Sequence, residues 1–176
     1  MATRLAEQLG DVPVAVINAY YAGSSIVAWF DLDTIQSTYP ALYDTYLDYK
    51  SKGTPSSWNN VPSVCYNRMV HPIKGYTANG VIWYQGESNC GTPALYMDYY
   101  KTLTSLWREW LNNEELPFMV MQLAPYGASS YPAFRNAQYN MVQNDPYSYL
   151  ISTTEDGPLF SAADNLHGFN YAHVHP

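Results

Sequence analysis

The sequence predicts an α/β fold, a three-layer α/β/α sandwich on a parallel sheet. Three observations carry that expectation. Apolar runs of strand character at residues 13–19, 81–84, 117–123 and 149–153 alternate with helical segments. The run at 117–123 is almost unbroken in its apolar character, as in a strand covered on both faces. Each run also ends in polar or small residues, which a parallel sheet would bring side by side along one edge, where open α/β sheets keep their sites. With 176 residues, 47% of them hydrophobic, the chain reads as one domain over 1–176 able to bury a sizeable core.

Residues 3–9 read as a helix with Leu5 and Leu9 on one face and Gly10 as its stop. Residues 13–19 are rich in Val and Ile and read as the first strand, followed by a loop at Tyr21-Ala22-Gly23-Ser24-Ser25 and a short apolar segment at 26–30. Residues 40–52 predict a helix with Leu42, Tyr46 and Tyr49 near one face, and 53–60 a polar loop. A short helix is expected over 62–70, ended by Pro72. The second strand is at 81–84. The clearest helix spans 93–111, where Tyr96, Tyr99, Tyr100, Leu103, Leu106, Trp107 and Trp110 recur at three- and four-residue spacings. The third strand at 117–123, a helix at 133–144 and the last strand at 149–153 complete the series.

The strand ends carry the chemistry. Asn18 and then Gly23-Ser24 follow the first, Gln85-Gly86-Glu87 the second, Gln122 and Pro125-Tyr126 the third, and Thr153, Glu155 and Asp156 the fourth. A net charge of -7 with eight Lys plus Arg argues against nucleic acid and against an anionic membrane surface. No apolar stretch reaches the length of a membrane span. The 18 Tyr and five Trp suit stacking on sugars, though each also suits a helix surface or core edge. Cys65 and Cys90 are too few for a disulfide scaffold or a zinc site; a bridge between them and two unpaired thiols are both open. His173-x-His175 lacks a third ligand at fixed spacing, so no metal is expected, and no cofactor.

Several segments resemble, in order, the sialate O-acetylesterase-like carbohydrate esterases of the SGNH hydrolase superfamily. The nonamer Val81-Ile82-Trp83-Tyr84-Gln85-Gly86-Glu87-Ser88-Asn89 is the most specific. The strand at 12–18 with Ala22-Gly23-Ser24-Ser25 and Trp29 is similar to the family's second block. Tyr66-Asn67-Arg68-Met69-Val70-His71-Pro72, the run from Leu116-Pro117-Phe118 to Gln122-Leu123-Ala124-Pro125-Tyr126, and Val174-His175-Pro176 resemble further family segments. The resemblance implies hydrolysis of acetyl esters on sugars by Ser-His-acid catalysis, with an O-acetylated carbohydrate as partner and an extracellular or periplasmic setting.

Ester hydrolysis through an acyl-enzyme needs an activated hydroxyl, a base and an oxyanion pocket. The resemblance assigns the base to His175. The family's usual Asp two residues earlier is His173 here, which leaves Glu87 as the favoured carboxylate and Asp164 as its substitute. The backbone N–H of Gly23 is the expected oxyanion donor and the side-chain amide of Gln85 a second, the alternatives being a plain turn residue for Gly23 and an amide that satisfies buried backbone groups for Gln85, and Asn89 lies in the same substrate-binding segment. Ser24 and Ser88 lie outside a Gly-x-Ser-x-Gly elbow and are not the family's nucleophile. That serine belongs to a Gly-Gln-Ser-Asn-type segment, expected upstream of this chain. The chain therefore reads as an internal fragment of a larger esterase domain, with the fold incomplete at both ends. The alternative is a non-catalytic sugar-binding or remnant module on the same scaffold.

Overall fold

The structure is a computed structural model that describes residues 2–53, 58–125 and 129–152. Its regular elements are helices α1 (Ala2–Gln8), α2 (Leu32–Thr38), α3 (Pro40–Lys52), α4 (Pro93–Trp110) and α5 (Tyr131–Gln143), and strands β1 (Val81–Trp83), β2 (Phe118–Met121) and β3 (Ser148–Ile151). The strands form one parallel sheet in the order β1-β2-β3, with Val81 opposite Phe118 and Phe118 opposite Ser148. The α/β class with a parallel sheet is thus the one observed.

Period-two alternation sorts the side chains by face. Trp83, Phe118, Val120 and Ser148 are buried on one face, whereas Ile82, Tyr149 and Ile151 are exposed on the other. The buried face is covered by α4, whose Tyr100 and Trp107 rings meet Phe118. Helix α5 packs beside α4. Successive crossovers in one direction along a parallel sheet place their helices on one face, because such crossovers are right-handed. Indoles of three elements meet behind β1, with Trp29–Trp83, Trp29–Trp107 and Trp83–Trp107 centroids 6.0, 6.3 and 5.9 Å apart. At the other end of the sheet, Arg108 of α4 lies over the Phe118 and Tyr147 rings and donates to both carboxylate oxygens of Asp145, at 3.1 and 2.9 Å.

The structure departs from the sequence reading in four places. Residues 13–19 form no ladder with any described residue, and Val16 and Ile17 are exposed. Strand propensity is realised only where a ladder partner lies alongside, and none does among the described residues. The helical stretch near 62–70 is a π-helical turn at Tyr66–Val70 that runs on into a 3₁₀ turn at His71–Ile73. Pro72 sits in the first turn of that second helix, where its missing N–H is harmless, so it starts an element rather than ending one. Helix α2, not foreseen, is nucleated by Asp31, whose carboxylate accepts from the Thr34 N–H at 2.7 Å and the Thr34 hydroxyl at 2.8 Å. Helix α3 has the expected bounds but buries no residue fully; Leu42 and Tyr43 only half pack against the core.

Both cysteines are buried free thiols. Burial pushes each thiol up to about 11. No helix among the described residues is long and apolar enough to cross a membrane.

Candidate active site

The end of β1 meets the turn that precedes Trp29. After Trp83 the chain reverses at Gly86, whose φ of +153° suits glycine, and closes a short 3₁₀ turn at Glu87–Asn89. A Cβ on Gly86 would stand 2.5 Å from Cε1 of Phe134, so α5 approaches too closely for any other residue. Facing this loop is the turn Tyr21-Ala22-Gly23-Ser24, in which the Ser24 N–H donates to the Tyr21 carbonyl and Gly23 has φ +67°. A positive φ at the third position is the signature of a type II turn.

Side chains of the nonamer clamp this turn. Buried Gln85 donates from Nε2 to the Ser24 carbonyl at 2.9 Å and to Oδ1 of Asn89 at 2.8 Å. The same Asn89 Oδ1 accepts from the Ile26 N–H at 3.0 Å. Ser88 Oγ donates to the Gly23 carbonyl at 2.7 Å. Asn59 donates to that carbonyl at 2.8 Å and to the Ala22 carbonyl at 3.3 Å. From behind, Trp29 Nε1 donates to Ser24 Oγ at 3.0 Å.

A second set of bonds braces the ends of β1 and β2. The Tyr96 hydroxyl donates to the Gln85 carbonyl at 3.1 Å and accepts from Trp83 Nε1 at 3.1 Å. Gln138 accepts from the Leu123 N–H at 2.9 Å. Arg135 donates to Gln122 Oε1 at 2.9 Å and to the Leu123 carbonyl. The loops at the sheet edge are therefore held by directional contacts, those of Trp29, Trp83, Tyr96, Gln138 and the Gln85–Ser24 bond buried, which is what preorganised donors require.

Four of the anticipated site residues, Gly23, Gln85, Glu87 and Asn89, lie on these two facing loops. His175, and with it His173 and Asp164, falls outside the described residues, as do Tyr126, Thr153, Glu155 and Asp156. Glu87 is half-buried and accepts a hydrogen bond from the Tyr84 hydroxyl. Burial, reinforced by the Glu87 charge and that bond, pushes the Tyr84 phenol well above its ordinary range, so it stays a donor. Gly23 is exposed, and its N–H meets no acceptor among the described residues. For Gln85 the hydrogen bonds follow the alternative of an amide that satisfies buried backbone groups. Both hydrogens of its amide are committed to protein acceptors, so the side chain holds the Gly23–Ser24 turn and has none left to offer an oxyanion. Ser24 is buried, with its oxygen engaged by Trp29, and the Ser88 hydroxyl hydrogen is taken by Gly23. Sequence reading passed over Asn59, Tyr84, Gln138 and Arg135. Only Tyr84 carried a signal, as part of the nonamer itself.

The sequence model of a family described as "Carbohydrate esterase, sialic acid-specific acetylesterase" matches residues 1–175. Among curated proteins, the sialate O-acetylesterase of Homo sapiens is 33% identical over 98 residues, covering 55% of this chain and 18% of that protein. The sialate O-acetylesterase of Mus musculus is 24% identical over 143 residues, covering 65% and 26%. Among solved structures, a carbohydrate acetylesterase from Xanthomonas citri superposes with a TM-score of 0.72 at 26% identity, covering 92% of this chain and 35% of that one. The chain thus spans about a fifth to a third of the length of these relatives.

Proposed function

The chain belongs to the carbohydrate esterase family of sialic acid-specific acetylesterases, and from that premise we propose that the protein containing it removes acetyl groups from O-acetylated sugars by Ser-His-acid catalysis. The observation that carries the proposal is the junction of two distant segments. The Gly23 turn and the Gln85–Asn89 loop are tied by Ser88 to Gly23 at 2.7 Å and Gln85 to Ser24 at 2.9 Å, with the Gly23 N–H meeting no acceptor among the described residues and Glu87 on the facing loop.

In this reading a serine hydroxyl attacks the acetyl carbonyl and passes its proton to His175. The carbonyl oxygen, now negative, is met by the Gly23 N–H. His175 then returns the proton to the departing sugar hydroxyl, and water releases acetate from the acyl-enzyme by the same route. Glu87 orients His175 through one carboxylate oxygen while Tyr84 holds the carboxylate. The serine comes from a segment outside these 176 residues. In support, the chain spans only part of its relatives, and the hydroxyls of Ser24 and Ser88 are engaged within the scaffold. Gln85 and Asn89 position the turn rather than contact the reacting atoms.

The test is acetate release from O-acetylated sialic acid and other acetylated glycans by the full-length protein. Glu87→Gln is expected to lower kcat by as much as about 10⁴, the value of the corresponding carboxylate in serine proteases. His175→Ala should be at least as damaging, and His173→Ala should cost little. Loss of activity in Asp164→Asn with Glu87→Gln unaffected would move the carboxylate to Asp164. Absence of acetate release by the intact wild-type protein would favour a non-catalytic sugar-binding module.

A further inference from the structure

Resting on the reading of Gly23 as the oxyanion donor, we infer that Asn59 is a positioning residue that sets the direction in which the Gly23 N–H points. The Ala22–Gly23 peptide is the central unit of the Tyr21–Ser24 turn. Rotating that unit interconverts type I and type II turns and reverses both its C=O and its N–H. Glycine admits either state, because it takes positive and negative φ almost equally well. Nothing intrinsic to the turn therefore fixes which way the Gly23 N–H faces.

Asn59 supplies the missing constraint. Its Nδ2 donates to the Ala22 carbonyl at 3.3 Å and to the Gly23 carbonyl at 2.8 Å. The described peptides contain no cis bond, and in a trans unit the C=O and N–H point oppositely. Holding the Ala22 carbonyl toward Asn59 turns the Gly23 N–H away from it, where it meets no acceptor among the described residues. Ser88 reinforces the arrangement through the Gly23 carbonyl but does not touch the Ala22 carbonyl, so it cannot set the rotation of the central peptide alone. Asn59 also lies 3.0 Å from where a Cβ on Gly23 would stand, which couples the two positions sterically. The orientation of the Asn59 amide is unambiguous, since both its partners are carbonyl oxygens and only the nitrogen can donate.

The experiment compares wild type, Asn59→Asp and Asn59→Ala in the full-length protein. Asp keeps the shape and lacks the donor; Ala removes the side chain. For both variants kcat on p-nitrophenyl acetate is expected to fall roughly five- to tenfold, the worth of a hydrogen bond, with KM within about twofold. The inactivation rate by a fluorophosphonate, whose serine adduct places a phosphoryl oxygen in the same pocket, should fall by the same factor. Unfolding midpoints unchanged from wild type in at least the Asp variant would separate this from a folding defect. If kcat holds in both variants of an active enzyme, or if KM rises alone, Asn59 does not position the donor. A wild-type protein with no esterase activity would instead sink the oxyanion reading, and this inference with it.

Discussion

Replacing Gly86 with alanine should destabilise the fold severely, through two separable effects. The first is backbone strain. Gly86 has φ +153°, a region an L side chain rarely enters, at a cost of about 1–3 kcal/mol. The second is overlap. The new methyl would lie 2.5 and 2.9 Å from two Phe134 ring carbons and 3.2 Å from a Leu123 methyl. The ring cannot easily retreat, because it is fully buried and its centroid lies 4.6 Å from that of Tyr96. Overpacking of this kind costs about 1–3 kcal/mol. Together the loss is about 4 kcal/mol, a large share of an ordinary domain's stability. The assay is the denaturant midpoint of wild type, Gly86→Ala, Phe134→Leu and the double variant. Trimming the ring should relieve the overlap but not the strain, so the double variant should be more stable than additivity gives by about 1 kcal/mol or more. Gly91→Ala is the control, since its Cβ would meet nothing within 4 Å; it should stay within about 0.5 kcal/mol of wild type. A Gly86→Ala midpoint equal to wild type, or strict additivity with Phe134→Leu, would refute the reasoning.

Asp145 should set an acid limit on stability. Burial raises its pKa, but hydrogen bonds from Arg108, Ser148 and the Tyr147 N–H, with the Arg108 charge, outweigh burial and hold the carboxyl below its ordinary 3.8. The stabilisation is complete above 3.8 and is lost as pH falls toward the depressed value. Asp145→Asn should therefore cost about 3 kcal/mol near neutral pH, with the deficit against wild type shrinking below pH 3.8, as followed by urea unfolding across pH. Cys65 and Cys90, buried and pushed up to about 11, should resist Ellman's reagent at pH 8 in the folded protein and both react in guanidinium. Rapid labelling of either under native conditions would contradict the packing around them.

What the sequence disclosed and what it hid divide along the range of the interactions. Helix α4 announced itself because its buried Tyr96, Tyr99, Tyr100, Leu103, Trp107 and Trp110 repeat a local period over about four turns. The strands at β1, β2 and β3 were legible for a related reason, being apolar runs that end sharply in polar residues. Residues 13–19 have the same composition, and Val16 and Ile17 nonetheless face solvent, because a strand is completed only by a neighbour that composition does not reveal. In the candidate site, the nonamer pointed to Gln85, Glu87 and Asn89, but residue type alone left Gln85 open between a free donor and an amide that satisfies buried backbone groups. Its commitment to Ser24, 61 residues away, is a property of the fold. Asn59, drawn from a polar loop with nothing to distinguish it from Asn60, gains its importance only by lying against a turn 36 residues earlier.

The three indoles behind β1 give the protein an optical reporter at a useful place. Chromophores about 6 Å apart and held at fixed angles couple their electronic transitions, so the near-ultraviolet circular dichroism of the native state should carry a strong signature of Trp29, Trp83 and Trp107. Trp29 is also the residue whose Nε1 secures Ser24, one residue from the Gly23 N–H. That band therefore follows the packing of the very turn on which ester chemistry would depend. Its disappearance ahead of the far-ultraviolet signal would mark a species whose helices persist while the turn has come loose.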